Sequence, residues 1–378
     1  MARIVIGGDF CPQNRISRLS DDRIVECFSD IKSVFDDCDY SILNLETPIL
    51  YDRRQYMPLK KSGPNLRCYP DDINILKYLN VDLVTLANNH IMDYGSQGLS
   101  STIALLASNG IEYVGAGNNL KEAKKGKIKE INGEIVAFIS CCEREYSIAS
   151  EDTAGANPVD DVDLYYAIKE LRAQVDYIIV IVHGGIEYYH LPSPNMQKRY
   201  RFLIDCGASA VINHHQHCYS GYEIYHNSPI LYGLGNFCFD WYGKVNQPWN
   251  YGYLVKIELE ETISIELIPY VQNSHEAGVK RLVAGELDIL NDDVNRLNGI
   301  IKNPKELNSA YRDFLKNTEI EYKNVISPYS GKYLSALFRR KLLPSFFPQK
   351  KWLMLLDMLT CDAHADRFTE YVKKKAYQ

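Results

Sequence analysis

The chain has 378 residues, 46% hydrophobic, 24% charged and 11% aromatic, which excludes a disordered, collagen-like or coiled-coil polypeptide. Forty-two Lys and Arg against 48 Asp and Glu give a formal charge of −6, which argues against nucleic acid as a partner, because phosphate backbones are met by net basic surfaces. No apolar run approaches the roughly 18 residues of a spanning helix, and the apolar start that ends at Gly7-Gly8-Asp9 is too short for a secretory leader, so a cytoplasmic protein is expected.

In chain order, Arg3–Gly8 is expected as a strand, followed by a helix over Arg23–Phe35 with Ile24, Phe28, Ile31 and Phe35 on one face. Tyr40–Leu43 is the next strand, Asp71–Leu79 a short helix, Val81–Leu86 a strand, Leu99–Ala107 a helix and Ile111–Val114 a strand. Asn132-Gly133 between Lys127–Ile131 and Glu134–Ser140 predicts a hairpin. A helix is expected over Asp160–Ala173, with Val162, Tyr166 and Ile168 as its apolar positions. Tyr177–Val182 is continuously apolar, as in a strand covered on both faces. A helix over Met196–Cys206 and a strand over Ala210–Asn213 precede two hairpins, Tyr222–Tyr225 with Ile230–Tyr232 and Tyr253–Glu258 with Ile263–Ile268. Such alternation predicts a layered α/β domain with mixed sheets.

Beyond Ala277 only helices are expected, at about Leu287–Leu297, Pro304–Leu315, Lys332–Leu342, Lys351–Leu359 and Ala363–Lys375. This places a boundary near residue 275, between the layered α/β domain (1–275) and a helical C-terminal region (276–378). Residues 331–378 carry a net +6 and the rest −12. Basic and bulky apolar residues mix over Leu337–Leu343 and Lys350–Leu356, a pattern that suits peripheral contact with an anionic membrane or an acidic partner, or a helix packed on the main domain. The ten cysteines form no CxxC pair and are expected to be reduced. The 28 tyrosines suit either a polar polymer surface or a Tyr-rich core rim.

The chemistry gathers where strands end. Five predicted strands run into Asp9; Asn44-Leu45-Glu46; Asn88-Asn89-His90; His183-Gly184-Gly185-Ile186-Glu187; and Asn213-His214-His215-Gln216-His217. Ligands of α/β sheets sit beyond the carboxyl ends of strands, so these side chains are expected to share one edge. Five of the nine histidines fall in these segments. Mixed carboxylate, amide and imidazole donors suit Zn, Mn or Fe rather than a thiolate zinc site. Two ions about 3.5–4 Å apart can clamp a substrate oxygen and activate water. Glu46 is placed to bridge them, with Asp9 on one, Asn89 on the other, and His183, His215 and His217 completing the shells. His90 is the candidate acid for a leaving group and Glu187 a candidate base or supporting carboxylate. Cys11, Asn44, Asn88, His214 and Asn236 are expected to touch substrate or to back the ligands. No GxSxG elbow occurs, nothing pairs Cys141 or Cys142 with a histidine, and Gly115–Leu120 lacks the last glycine of a dinucleotide loop and is expected to be a turn.

These residues resemble the bacterial capsule-synthesis CapA family, named for poly-γ-glutamate capsule production. The resemblance covers about residues 3–270 and rests on Gly8-Asp9, Asn44-Leu45-Glu46, Ala87-Asn88-Asn89-His90 with Asp93-Tyr94-Gly95, His183–Tyr188, Gly207-Ala208 through His217, and Gly235-Asn236-Phe237. It implies a calcineurin-like metallophosphatase fold, a β-sandwich flanked by helices. It also implies a role in making a capsule or surface polymer. Two readings follow: a metal-dependent hydrolase of an ester or amide bond, or a non-catalytic factor holding an anionic polymer, a small molecule or other capsule-synthesis proteins. Two departures stand out. Asp9-Phe10-Cys11 lacks the fold's usual Asp-x-His, leaving one ion position open, weak or helped by Cys11, and Asn213 and Gln216 replace the Gly and Pro common in the last motif.

Overall fold

The structure, a computed structural model, describes residues 1–325, 329, 332–344, 348–360, 364, 368–369, 371–372 and 375–376. In chain order it contains β1 (Ala2–Cys11), α1 (Asp21–Asp36), β2 (Tyr40–Leu45), α2 (Ile73–Tyr78), β3 (Leu83–Thr85), α3 (Gly95–Ser108), β4 (Glu112–Val114), β5 (Ala116–Gly117), α4 (Leu120–Ala123), β6 (Lys127–Ile131) and β7 (Glu134–Cys142). These are followed by β8 (Gly155–Ala156), α5 (Asp161–Leu171), β9 (Tyr177–His183), α6 (Pro194–Asp205), β10 (Ala210–His214), β11 (Tyr222–Tyr225), β12 (Ser228–Leu231), β13 (Asn236–Phe239), β14 (Tyr251–Leu259), β15 (Ser264–Gln272) and β16 (Val279–Arg281). Helices α7 (Ala284–Lys302), α8 (Pro304–Val325), α9 (Lys332–Arg339) and α10 (Gln349–Thr360) complete the described elements.

Two sheets form the layers. The first has the order β16-β15-β14-β1-β2-β3-β4, with β13 also on β1; the second runs β11-β12-β10-β9-β7-β6. In the first, β1, β2, β3 and β4 are mutually parallel, and in the second β7, β9, β10 and β12 are parallel. Period-2 alternation sorts the side chains. Ile4 and Ile6 of β1 face a core shared with Phe138, Ile179, Ile181 and Ile212 of the second sheet, while Val5 faces the other way, into a core with Phe28, Ile31, Leu76 and Leu105 of helices α1, α2 and α3. The first core joins sheet to sheet and the second joins sheet to helices, so the fold is the expected sandwich flanked by helices. Strand β9 is buried from Ile178 to His183, as its unbroken apolar run requires.

Several local expectations shift. In α5 the buried residues are Leu164 and Ile168, and Val162 and Tyr166 are 64% and 63% exposed. The apolar i,i+4 pair Val162/Tyr166 therefore lies on the solvent side. Gly115–Leu120 holds the two-residue β5 and opens α4, which is capped by Asn119 accepting from Glu122 N. Residues beyond 277 are not purely helical, because β16 extends the first sheet. The first compact unit runs from Met1 to Asn308 and the second from Ser309 to Gln378, whereas a boundary near 275 is expected from the sequence. The difference has a physical source, since Leu282, Leu290 and Val294 join the core between the sheets. In the second unit Leu342, Leu353, Met354 and Leu359 are exposed. The helix expected over 363–375 lies largely outside the described residues. Among the described residues no helix is long and apolar enough to cross a membrane.

Buried tyrosines favour the core-rim reading of the Tyr count. Tyr200, Tyr232, Tyr253 and Tyr270 are fully buried, and their hydroxyls donate to Asn213 Oδ1, Glu223 Oε1, Ser220 O and Asn236 O.

Candidate metal centre

The first sheet supplies oxygen donors. Asp9 lies near the end of β1, just after Gly8, where a Cβ would stand 1.7 Å from the Gly235 carbonyl oxygen; only glycine allows β1 and the segment entering β13 to approach this closely. Asp9 Oδ1 accepts from Asn44 Nδ2 at 2.8 Å, and Oδ2 from His215 N at 3.2 Å. Asn44 is the hub of this wall: its Oδ1 accepts from Thr85 Oγ1 (3.0 Å) and Asn88 Nδ2 (3.3 Å), and Asn88 also donates to Leu45 O at 2.8 Å. Glu46 follows β2 directly and is fully buried. Asn89, beyond β3, presents Oδ1 3.0 Å from His183 Nε2 and donates Nδ2 to Glu145 Oε2 at 3.1 Å.

The second sheet supplies imidazoles. His183 ends β9, and His215 and His217 follow β10, held in left-handed backbone at φ 87° and 53°. Such conformations are uncommon for side chains of this size and persist where surroundings enforce them. The two departures from the family's last motif do the enforcing. Asn213 Nδ2 donates to Gly184 O, His214 O and Tyr232 O, and Gln216 Nε2 donates to Tyr189 O at 2.8 Å. His183 Nε2 and His215 Nδ1 are 3.0 Å apart. His217 Nδ1 lies 2.8 Å from Asn236 Oδ1, which holds the proton on Nδ1 and leaves Nε2 to face Glu46. Asn236 begins β13 and sits in register with Asp9.

Between these walls lies an uncompensated carboxylate. Both oxygens of Glu46 are buried without a hydrogen-bond partner. His183 Nε2 is 3.5 Å and His217 Nε2 3.7 Å from Oε1, too far for good hydrogen bonds. Two ligands of one divalent ion, each about 2.0–2.2 Å from it, lie about 3–4 Å apart, so these separations fit a cation between the donors. Ligand atoms of Glu46, His215 and His217 all lie within 4.8 Å of one another, a candidate metal site. A buried carboxylate without donors is costly unless a cation offsets it.

The charges respond accordingly. Burial, reinforced by Asp9, pushes the Glu46 carboxyl well above its usual range. Burial also acts to raise Asp9, but the hydrogen bond with His217 and the fields of His183, His214 and His217 outweigh it, and Asp9 is lowered. Burial pulls against protonation of His217, yet Glu46 and Asp9 lift it to about 10. His215, buried and beside His217, falls to about 3; burial lowers His183 and His214 as well.

The other expected residues divide. His90 Nδ1 is 2.7 Å from Asp93 Oδ2 and 3.1 Å from Lys61 Nζ, and Lys61 forms a buried ion pair with Asp93. Glu187 lies in an exposed turn. Cys11 is buried among Leu66, Phe239 and Trp249, accepts from Gln13 Nε2, and its thiol is pushed well up by burial and by Glu46. It is therefore a protonated thiol. His214 is buried, and neither of its ring nitrogens is within the candidate group of Glu46, His215 and His217. Three sets of neighbours escaped sequence reasoning. Glu145, 3.6 Å from His215 through Oε1, follows β7, a sixth strand end whose Glu143-Arg144-Glu145 break was visible in the sequence. Lys61 carries no local signal, because it reaches His90 across a long loop. Tyr188, Lys244 and Trp249 line the His217 side.

Residues 3–241 match the family described as bacterial capsule synthesis protein PGA_cap. The chain is 31% identical over 217 residues to the PGA biosynthesis protein CapA of Bacillus subtilis, covering 56% of each chain. It is 29% identical over 220 residues to the capsule biosynthesis protein CapA of Bacillus anthracis (56% of this chain, 53% of that one). A probable polyglutamine synthesis accessory protein of Mycobacterium tuberculosis is 32% identical over 218 residues, covering 54% of this chain and 57% of that one. The chain thus spans about half the length of the curated relatives it matches. Among solved structures it is similar to a 5'-nucleotidase precursor from Thermus thermophilus (TM-score 0.45, 14% identity, 71% of this chain and 54% of that one). It is also similar to a purple acid phosphatase from yellow lupin seeds (TM-score 0.36, 14% identity, 76% of this chain and 55% of that one).

Proposed function

The chain belongs to the bacterial capsule synthesis protein family, and from that premise we propose that its centre is a metal-dependent hydrolase cutting an ester or amide bond in an anionic capsule polymer of the poly-γ-glutamate kind. The observation that carries the reading is the pair of buried, unpartnered Glu46 oxygens facing imidazole nitrogens from the opposite sheet. Asp9, Glu46, Asn89, His183, His215 and His217 are the residues that would hold one or two ions of Zn, Mn or Fe. A divalent ion bound there polarises the scissile group and lowers the pKa of water. The chain's own groups do the rest. Asn236 and Asp9 fix the His217 ring. Asp93 orients His90 through Nδ1, which leaves Nε2 to deliver a proton to the leaving group.

The test is metal analysis of the purified chain, followed by turnover of a generic phosphoester and of a γ-glutamyl amide with and without chelator, beside Glu46→Gln. Turnover that needs metal and vanishes in Glu46→Gln is expected. One observation favours a second reading, a non-catalytic polymer-holding factor. The position of the fold's usual first-motif histidine is taken by Cys11, whose buried thiol stays protonated. Tight polymer binding without turnover of either substrate by the metal-loaded chain decides for that reading.

A further inference from the structure

One side of the centre is walled by aromatic rings with a cation on them. The Trp249 ring is 4.8 Å and the Tyr188 ring 6.4 Å from His217, centroid to centroid. The two stack on each other at 6.1 Å, inclined by 30°. Lys244 Nζ stands 4.6 Å from the Tyr188 centroid and 5.5 Å from that of Trp249.

The arrangement is built rather than incidental. Trp249 is 4% exposed and its Nε1 donates to Phe239 O at 2.8 Å. The loop carrying Lys244 is pinned by Asn250 Nδ2 donating to Lys244 O and by Lys244 N donating to Trp241 O, both at 3.1 Å. Tyr188 sits in left-handed backbone at φ 62°, costly for a bulky aromatic, held by its N–H donating to Gln216 O at 2.8 Å. The ring is 48% exposed and lies beside the centre through its contacts with Trp249 and His217.

The charges around the centre are uneven. Glu145, beside His215, and Glu187, beside His217, are acidic, and an anionic substrate approaching them is repelled. Lys61, on the His90 side, is neutralised by Asp93, and Arg144 pairs with Asp160. Among the described residues Lys244 has no carboxylate within ion-pair distance. Its ammonium is thus available to an anion, and the half-exposed Tyr188 ring beside it offers apolar edge to the methylenes of a ligand.

We propose that Lys244 and Tyr188, backed by the buried Trp249, form a substrate subsite beside His217 that seats a carboxylate borne directly on the polymer backbone and flanked by backbone methylenes, next to the bond that is cut. The bond-cutting role rests on the hydrolase reading above; the subsite itself is tested by binding alone. The full chain is titrated with an oligomer of γ-linked glutamate, and with the same oligomer whose free carboxylates are converted to methyl amides, following tryptophan fluorescence. Lys244→Met, which keeps the stem and removes the charge, is expected to weaken binding of the acid oligomer about tenfold, and Lys244→Arg to stay within about threefold of the wild type. The neutral oligomer is expected to bind the wild type no better than the acid oligomer binds Lys244→Met. Equal affinity of Lys244→Met and wild type, equal affinity for the two oligomers, or no binding of the acid oligomer by the wild type overturns the subsite. Binding through Lys244 in a chain without turnover supports the subsite and removes the hydrolase. Metal-dependent turnover with unaltered Lys244→Met binding does the reverse.

Discussion

The two sheets bring different chemistry to one place. The first contributes oxygen donors, Asp9, Glu46 and Asn89, backed by Asn44 and Asn88, and the second contributes the nitrogens of His183, His215 and His217. Neither half is a site alone: one is a set of buried carboxylates in want of a cation, the other a set of rings in unusual backbone. Docking the sheets through Ile4, Ile6, Phe138, Ile179 and Ile212 makes the centre, so apolar burial positions polar groups that repel or strain one another. The asymmetry also shows in protonation, with Glu46 raised on one side and His215 lowered to about 3 on the other.

The harshest way to break this pairing is through the backbone that carries the oxygen side. Gly8→Ala places a methyl group into the Gly235 carbonyl, and we expect a loss of more than about 3 kcal/mol in urea unfolding, or no folded protein. Next comes the carboxylate at the seam. Glu46→Gln is expected to lower metal affinity more than about a hundredfold by direct metal analysis, with only a modest change in the stability of the metal-stripped protein, because the burial cost of the carboxyl and its support of His217 oppose each other. A parallel fall in stripped-state stability would show that Glu46 is structural instead. Asn236→Ala acts one step out. It frees the His217 ring and is expected to cost about 10–100-fold in metal affinity with a small change in melting temperature.

The mildest effect sharpens the comparison through pH. In the metal-stripped protein, His217 on the nitrogen side is lifted from 6.5 to about 10 by Glu46 and Asp9 on the oxygen side. A group raised on folding contributes stability fully present below its unfolded value and lost as pH climbs through the folded one. Stability of the stripped protein is therefore expected to decline between about pH 6.5 and 10. Denaturant melts across that window should show the decline in the wild type and a flatter profile in His217→Gln.

Most of this centre was legible because a polar side chain at the end of a buried strand is rarely there for packing. Asp9, Glu46, Asn89, His183, His215 and His217 each follow or end an apolar run, and the parallel order of β1, β2, β3, β9 and β10 delivers them to one edge. What stayed hidden depends on tertiary contact. Val162 and Tyr166 form an apolar pair as convincing as Leu164 and Ile168, and only the direction of packing separates them. Strand β16 has two exposed charged residues out of three and no alternation long enough to read. Lys61 and Lys244 reach the site from loops, where spacing carries no information about which way a side chain turns. Asn213 and Gln216 looked like departures from the family pattern, and their amide groups hold the loops that a glycine and a proline would otherwise shape.

Strand β1 changes partners along its length: Ala2–Ile6 pair with β14, whereas Asp9–Cys11 pair with β13. The fork works like a key cut for a single alignment, since Asp9 lies opposite Asn236. Sliding β13 by one position would send the amide to the opposite face and bring Phe237 against Asp9, with the interior otherwise able to close. Inserting or deleting a residue in the short lead from Leu231 to Asn236 would therefore silence the centre in a molecule that still melts cooperatively, so correct threading here has to be judged by cation uptake and not by heat resistance.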